Sequence, residues 1–107
     1  MSGGVVQIRP KIGFAYEQLT VTTAVQVLTP SKYAAAQGYE SGASAFVSLN
    51  GGSVRYTYDG TTPTSSVGHV LQDGGVLTLV GQNQMALFKC IQTGSTGSEI
   101  SVTYERE

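Results

Sequence analysis

This sequence has no tryptophan, one cysteine, one histidine and three prolines in 107 residues. A single cysteine excludes an internal disulfide framework and a cysteine-based zinc site. With one histidine and seven acidic residues, acids, bases and metal ligands are too sparse to form an evident catalytic constellation. The expectation is therefore a chain that is not an enzyme and takes no metal or cofactor. Charge is scarce as well, at 12% of residues against roughly 25% in an average soluble domain. Six basic and seven acidic residues give a net charge of −1. Without a basic stripe there is no electrostatic footprint for nucleic acid. No apolar run approaches the ~18–20 residues of a membrane span, so no membrane partner is expected. Met1-Ser2-Gly3-Gly4 lacks the apolar stretch of a secretory signal.

Small residues are abundant instead. Glycine, serine and threonine make up 37 of the 107 residues, and the length suits one domain, residues 1–107, with residues 1–11 able to serve as an N-terminal arm. A chain of this size buries only about 60–70% of its unfolded surface. Its low charge provides little solubilising repulsion. Such a composition is expected where partners cover part of the surface.

The hydrophobic pattern is β almost throughout, with short runs of Val, Ile, Thr, Tyr and Phe separated by Gly, Asn, Asp, Pro and Ser. In the run 99–105, Ile100, Val102 and Tyr104 share one face while Ser101 and Thr103 share the other. Leu77 and Leu79 alternate with Val76, Thr78 and Val80 in the same way. The runs predict strands over 5–8, 14–23, 25–28, 43–49, 54–58, 69–71, 76–80, 85–92 and the C-terminal segment. Leu19 and Val21 point inward, and the chain bends at 22–24. Asn50-Gly51-Gly52 is expected to close a hairpin between the runs 43–49 and 54–58. Ser31–Gln37 is the one helical candidate, expected as a single turn in the long loop 29–42. About eight short strands in this length indicate an all-β antiparallel sandwich, Ig-like or jelly-roll-like.

Candidate chemistry is thin. His69 has no second histidine and no nucleophile in a recognisable spacing, which favours a strand-end residue hydrogen-bonded to backbone. Cys90, between Lys89 and Ile91, reads as a small core hydrophobe. In Asp59-Gly60-Thr61-Thr62-Pro63-Thr64, Asp59 can accept from the amide two residues on, Gly60 permits the turn and Pro63 stops the strand. The expectation there is a self-capped structural turn. The lone carboxylate does not suit calcium, which takes about six to eight oxygens. Tyr16, Tyr56, Tyr58 and Tyr104 are expected on strands with one end wet. Tyr33 and Tyr39, in the loop 29–42, can either anchor a partner or pin the loop to its own sandwich. The arm contributes an apolar patch, Val5, Val6 and Ile8, and a basic pair, Arg9 and Lys11, which can dock on its own sheet or extend a neighbour's edge. The charged end Glu105-Arg106-Glu107 is expected to discourage edge pairing.

Two resemblances add to this. Val54-Arg-Tyr-Thr-Tyr-Asp-Gly-Thr-Thr-Pro-Thr64, followed by Val76-Leu-Thr-Leu79 and Leu87-Phe-Lys-Cys-Ile91, resembles the YTxDGSxPT pattern of Ig-like chitobiase C-terminal domains. It covers residues 54–103 and implies an Ig-like sandwich. The second spans nearly the whole chain. Phe14-x-x-Glu17-Gln-Leu-Thr-Val-Thr22, Leu28-Thr-Pro-Ser-Lys-Tyr33, Asp59-Gly-Thr-x-Pro-Thr-x-Ser-Val-Gly-His-x-Leu71 and Ile100-Ser-Val-Thr-Tyr-Glu-Arg106 are similar to small β-rich virion proteins of tailed phages. That resemblance implies a structural subunit of a bacteriophage particle, located in the virion and assembled in the host cytoplasm. The favoured role is a capsid decoration (cement) protein contacting the major capsid protein or other virion subunits, as a homo-oligomer with a trimer favoured. A neck or tail ring protein is the alternative. A carbohydrate-binding module using Tyr33 and Tyr39 is another, weakened by the absence of tryptophan. No catalytic residues come with either resemblance.

Overall fold

The computed structural model of the chain describes residues 11–34, 43–94 and 97–106. The predicted strand 5–8 lies outside them. The alternation read in the C-terminal run is realised in β8 (Ser98–Arg106), where Ile100, Val102 and Tyr104 are buried. β8 lies between β1 (Ile12–Val21) and β3 (Ser44–Asn50), and β6 (Val76–Val80) completes a sheet in the order β1-β8-β3-β6. A second sheet has the order β2-β7-β4-β5, from β2 (Gln26–Val27), β4 (Ser53–Thr57), β5 (His69–Gln72) and β7 (Lys89–Gln92). All pairings are antiparallel, and the protein is an all-β sandwich.

The pairs β1–β8, β2–β7, β3–β6 and β4–β5 nest inside one another. The chain is thus one long two-armed ribbon, and wrapping it brings β8 onto β3 and β7 onto β4. This is the strand order of a jelly roll. An Ig-like sandwich instead keeps several sequential strands as neighbours in one sheet; here, among the described strands, only β4 and β5 are both consecutive and paired.

The expected hairpin at Asn50-Gly51-Gly52 is therefore corrected, because β3 and β4 belong to different sheets. Gly51 and Gly52, at φ of 88° and 66°, turn the chain across the sandwich instead of back along one sheet. The neighbouring crossing from β5 to β6 supports this corner. The Gly51 amide donates to Asp73 Oδ1 at 2.8 Å, the Leu49 amide to the Gly75 carbonyl and the Gly74 amide to the Leu49 carbonyl. The bend at 22–24 is likewise a corner between sheets, where the Gln92 amide donates to the Thr22 carbonyl, and β2 is not a continuation of β1.

Two further expectations change. Residues 85–92 are not one strand: α2 (Gly81–Leu87) takes Met85 and buries it, and only β7 is extended. The helix closes one end of the sandwich, with Gln84 Oε1 accepting the Val80 amide at 2.7 Å. The charged C-terminal residues Glu105 and Arg106 lie in β8, an interior strand, so they blunt no edge. The edges of that sheet are β1 and β6.

The core runs between the sheets from Val21 and Leu49 at one end to Leu79, Met85 and Phe88 at the other. Among the described residues, one charged side chain enters it. Glu17, on the inner face of β1 beside Leu19 and Val21, accepts from the Thr29 hydroxyl (2.6 Å), the Thr29 amide (3.1 Å) and the Tyr104 hydroxyl. Tyr104 is completely buried, contrary to the expectation of a wet end, since its hydroxyl is satisfied internally. Thr29 precedes α1 (Pro30–Tyr33), the single turn at the start of the long loop.

Candidate functional site

Of the residues predicted to contact partners, Val5, Val6, Ile8, Arg9 and Tyr39 lie outside the described residues. Lys11 is exposed, and its Nζ donates to Ser44 Oγ at 3.0 Å, which sits within 3.4 Å of Glu105 Oε1. Tyr33 is half-buried, its ring 6.3 Å from that of Tyr104, and its carbonyl accepts from Gln82 Nε2 at 2.8 Å. Its ring therefore faces its own sandwich. In the turn after β4, Asp59 Oδ1 accepts the Thr61 amide at 3.0 Å, Gly60 has φ of 91° and Pro63 is buried. The Thr57 hydroxyl donates to the Thr61 carbonyl and locks the turn to the strand end.

This turn forms the rim of an aromatic wall. Tyr56 and Tyr58 lie two residues apart, so they project from the same side of the chain. The antiparallel register sets His69, the first residue of β5, directly opposite Tyr56. The Tyr56 ring lies 5.3 Å from His69 and 6.5 Å from Tyr58, and His69 stacks on Tyr58 at 6.0 Å with 26° between planes. Behind them Tyr56 stacks on the buried Phe88 at 6.0 Å, which roots the wall in the core. His69 is a strand-end residue placed by the β4–β5 ladder, and its ring packs against those of Tyr56 and Tyr58.

Two hollows flank Tyr58. One, of about 260 Å³, is lined by Thr57, Tyr58, Asp59, Thr61 and His69. The other, also about 260 Å³, lies between Tyr56 and Tyr58 on one side and Leu77, Leu79, Val80 and Gln84 on the other. The hydrogen bonds from the Thr61 amide and hydroxyl hold the Asp59 carboxyl below the usual range, with a smaller electrostatic pull from His69. At neutral pH the rim therefore presents a carboxylate. The pair Tyr56-x-Tyr58 was visible in the sequence. The meeting of Tyr56 with His69 depends on the β4–β5 register, which the twelve residues between them conceal.

A second surface is the outer face of the β1-β8-β3-β6 sheet. Phe46 of β3 pairs with Thr78 of β6 and Thr103 of β8, and Val76 and Val80 stand two residues either side of Thr78 on the same face. Val76 and Val80 are 56% and 57% exposed and Phe46 is 41% exposed. Tyr16, on the same rung at β1, donates to Ser101 Oγ at 3.2 Å. β6 itself carries no charged residue, whereas Glu99 and Glu105 lie along β8 and the Lys11 ammonium reaches Ser44, the ladder partner of Val80.

Cys90 is fully buried, and burial pushes its thiol up to about 12. Among the described residues no three or more His, Cys, Asp or Glu side chains gather to hold a metal ion, and no helix is long and apolar enough to cross a membrane. Comparison with protein families, with curated proteins and with solved structures gives no match to this chain.

Proposed function

We propose that this protein is a structural subunit of a bacteriophage particle, a capsid decoration protein that holds neighbouring subunits through its sheet surface. The observation that carries the reading is the exposed apolar patch of Phe46, Val76 and Val80 on an outer sheet face bordered by the β6 edge. Burial of these side chains against a shell subunit would contribute roughly 25 cal/mol per Å² of apolar surface covered. Threonine and serine hydroxyls around the patch supply hydrogen bonds without the desolvation cost of charges. Many copies on a symmetric lattice sum modest contacts. Jelly rolls are used in capsid domains, an analogy of fold that supports the reading.

The test is particle association. Shells assembled without this chain are mixed with the purified protein and sedimented at low salt and at ~1 M salt, where the Debye length falls to about 3 Å. Retention at fixed stoichiometry in both, lost on Phe46→Asp or Val80→Lys, is the expected result. Release at moderate salt, or unchanged binding of both variants, overturns it. Light scattering on the free protein reads the expected trimer.

A further inference from the structure

The aromatic wall extends further than the core requires. Phe88 is buried and Tyr56 half-buried, but Tyr58 is 43% exposed and His69 is exposed beyond it. A single exposed ring is ordinary on a protein surface. Two stacked rings that line a recess together with a carboxylate and threonine hydroxyls are a built feature. The geometry points to the hollow between Tyr58, His69, Asp59 and Thr61 as a binding site for an uncharged sugar ring, whose C–H face lies on the rings and whose hydroxyls reach the Asp59–Thr61 rim.

The chemistry separates this ligand from its rivals. An anion would meet the Asp59 carboxylate, and no lysine or arginine lines the hollow. A quaternary ammonium is held best by rings that surround it. Here the three rings lie within 40° of one another, so they form one wall and not a cage. A purely apolar ligand would strand the polar rim against hydrocarbon. A flat ring with one apolar face and a hydroxylated edge satisfies both walls. The volume, about 260 Å³, lies below the ~300–1,000 Å³ typical of drug-sized sites and suits a single ring.

The site is formed in advance. Tyr56 and His69 are fixed by the β4–β5 ladder. Gly68, at φ of 121°, brings the chain against the Tyr56 backbone so closely that a Cβ would lie 3.1 Å from its carbonyl oxygen. Thr57, Thr61 and Asp59 are hydrogen-bonded to one another before any ligand arrives. Little ordering cost then remains to be met on binding. The site is distinct from Tyr33, which the sequence suggested for sugar stacking and which faces Tyr104. It does not depend on residence in a particle, although many copies there would raise avidity.

Saturation-transfer NMR on the full chain with glucose, galactose, mannose and N-acetylglucosamine tests this, up to ~50 mM each because a shallow single-ring site is expected to bind in the millimolar range. Choline and inorganic phosphate are run as separate arms. At least one sugar is expected to bind, with protein shift changes confined to Tyr58, Asp59, Thr61 and His69. Tyr58→Ala should weaken binding by about tenfold or more, equivalent to ~1.4 kcal/mol, and His69→Ala by several-fold. Thr20→Ala, at the far end of the other sheet, should change nothing. Both site variants alter exposed side chains, and circular dichroism verifies their fold. The inference is overturned if no sugar shifts these residues, if choline or phosphate binds in their place, or if folded Tyr58→Ala binds as the parent does.

Discussion

The Tyr104 hydroxyl of β8 donates to the Glu17 carboxylate of β1 inside the sandwich, and the same carboxylate takes both the amide and the hydroxyl of Thr29. Burial acts to raise the Glu17 pKa. The hydrogen bonds from Thr29 and Tyr104, with the attraction of Lys32, outweigh it and leave the group below its ordinary 4.5. Tyr104 is driven the other way, first by burial and then by its bond to Glu17. A charge in the core is therefore tolerated because three donors surround it. The network fastens the crossing from β2 to α1 onto β1 and β8.

Removing one donor should be felt. Tyr104→Phe keeps the ring but leaves the carboxylate one hydrogen bond short, and is expected to cost about 1.5–3 kcal/mol, as for bonds to charged groups. Urea denaturation of the two proteins measures it. A difference under about 0.5 kcal/mol would place the Glu17 charge outside the folding balance.

The pH dependence follows in sign. Because the folded pKa of Glu17 is depressed, its contribution to stability is present above the unfolded value near 4.5 and is lost as the pH falls through the folded value. The melting temperature should drop on acidification below pH ~4.5, where the unfolded state binds the additional proton. Glu17→Gln should lower stability at neutral pH and flatten this acid limb.

Gly51 and Gly74 separate strain from collision. Both have positive φ, 88° and 82°. A Cβ on Gly51 would sit 2.6 Å from the Gly97 carbonyl oxygen, while one on Gly74 would meet nothing within 4 Å. Gly74→Ala should cost about 1–2 kcal/mol, the backbone penalty alone. Gly51→Ala should cost clearly more, because Gly97 must move as well. Equal melting temperatures for the two variants would contradict the close packing of these corners.

Cys90 offers a probe of opening. A thiol with its pKa pushed up to about 12 and no exposed surface has almost no thiolate at pH 8, so a disulfide reagent should label it only when the fold opens. Labelling in urea should accelerate to the rate of a free cysteine, whereas rapid labelling of the native protein would contradict its burial.

Among the described residues, most strand positions and inward faces were legible from residue type, the run 85–92 excepted. Ile100, Val102 and Tyr104, or Leu77 and Leu79, alternate with polar or exposed partners because a pleated strand half-buried against a core imposes a period of two. The Asp59–Thr61 turn was equally local. What could not be read was which sheet each strand joins. Asn50-Gly51-Gly52 has the same turn chemistry whether it folds a strand back or carries it across the sandwich, and the choice rests on contacts with Asp73, Gly75 and Gly97 that are remote in sequence. Helix α2 buries only Met85 in seven residues, too short for a helical period to emerge from a β-rich background; Met85-Ala86-Leu87 was its only local signal. Glu17 shares the inward face of Leu19 and Val21 by alternation, but its partners Thr29 and Tyr104 lie too far along the chain to be read from it. Local sequence thus determined the β-strands and their faces, through steric and hydrophobic preferences within a few residues. The jelly-roll order, the core charge and the Tyr56–Tyr58–His69 wall were decided by tertiary pairing, since each brings together groups whose energies exist only once distant segments meet.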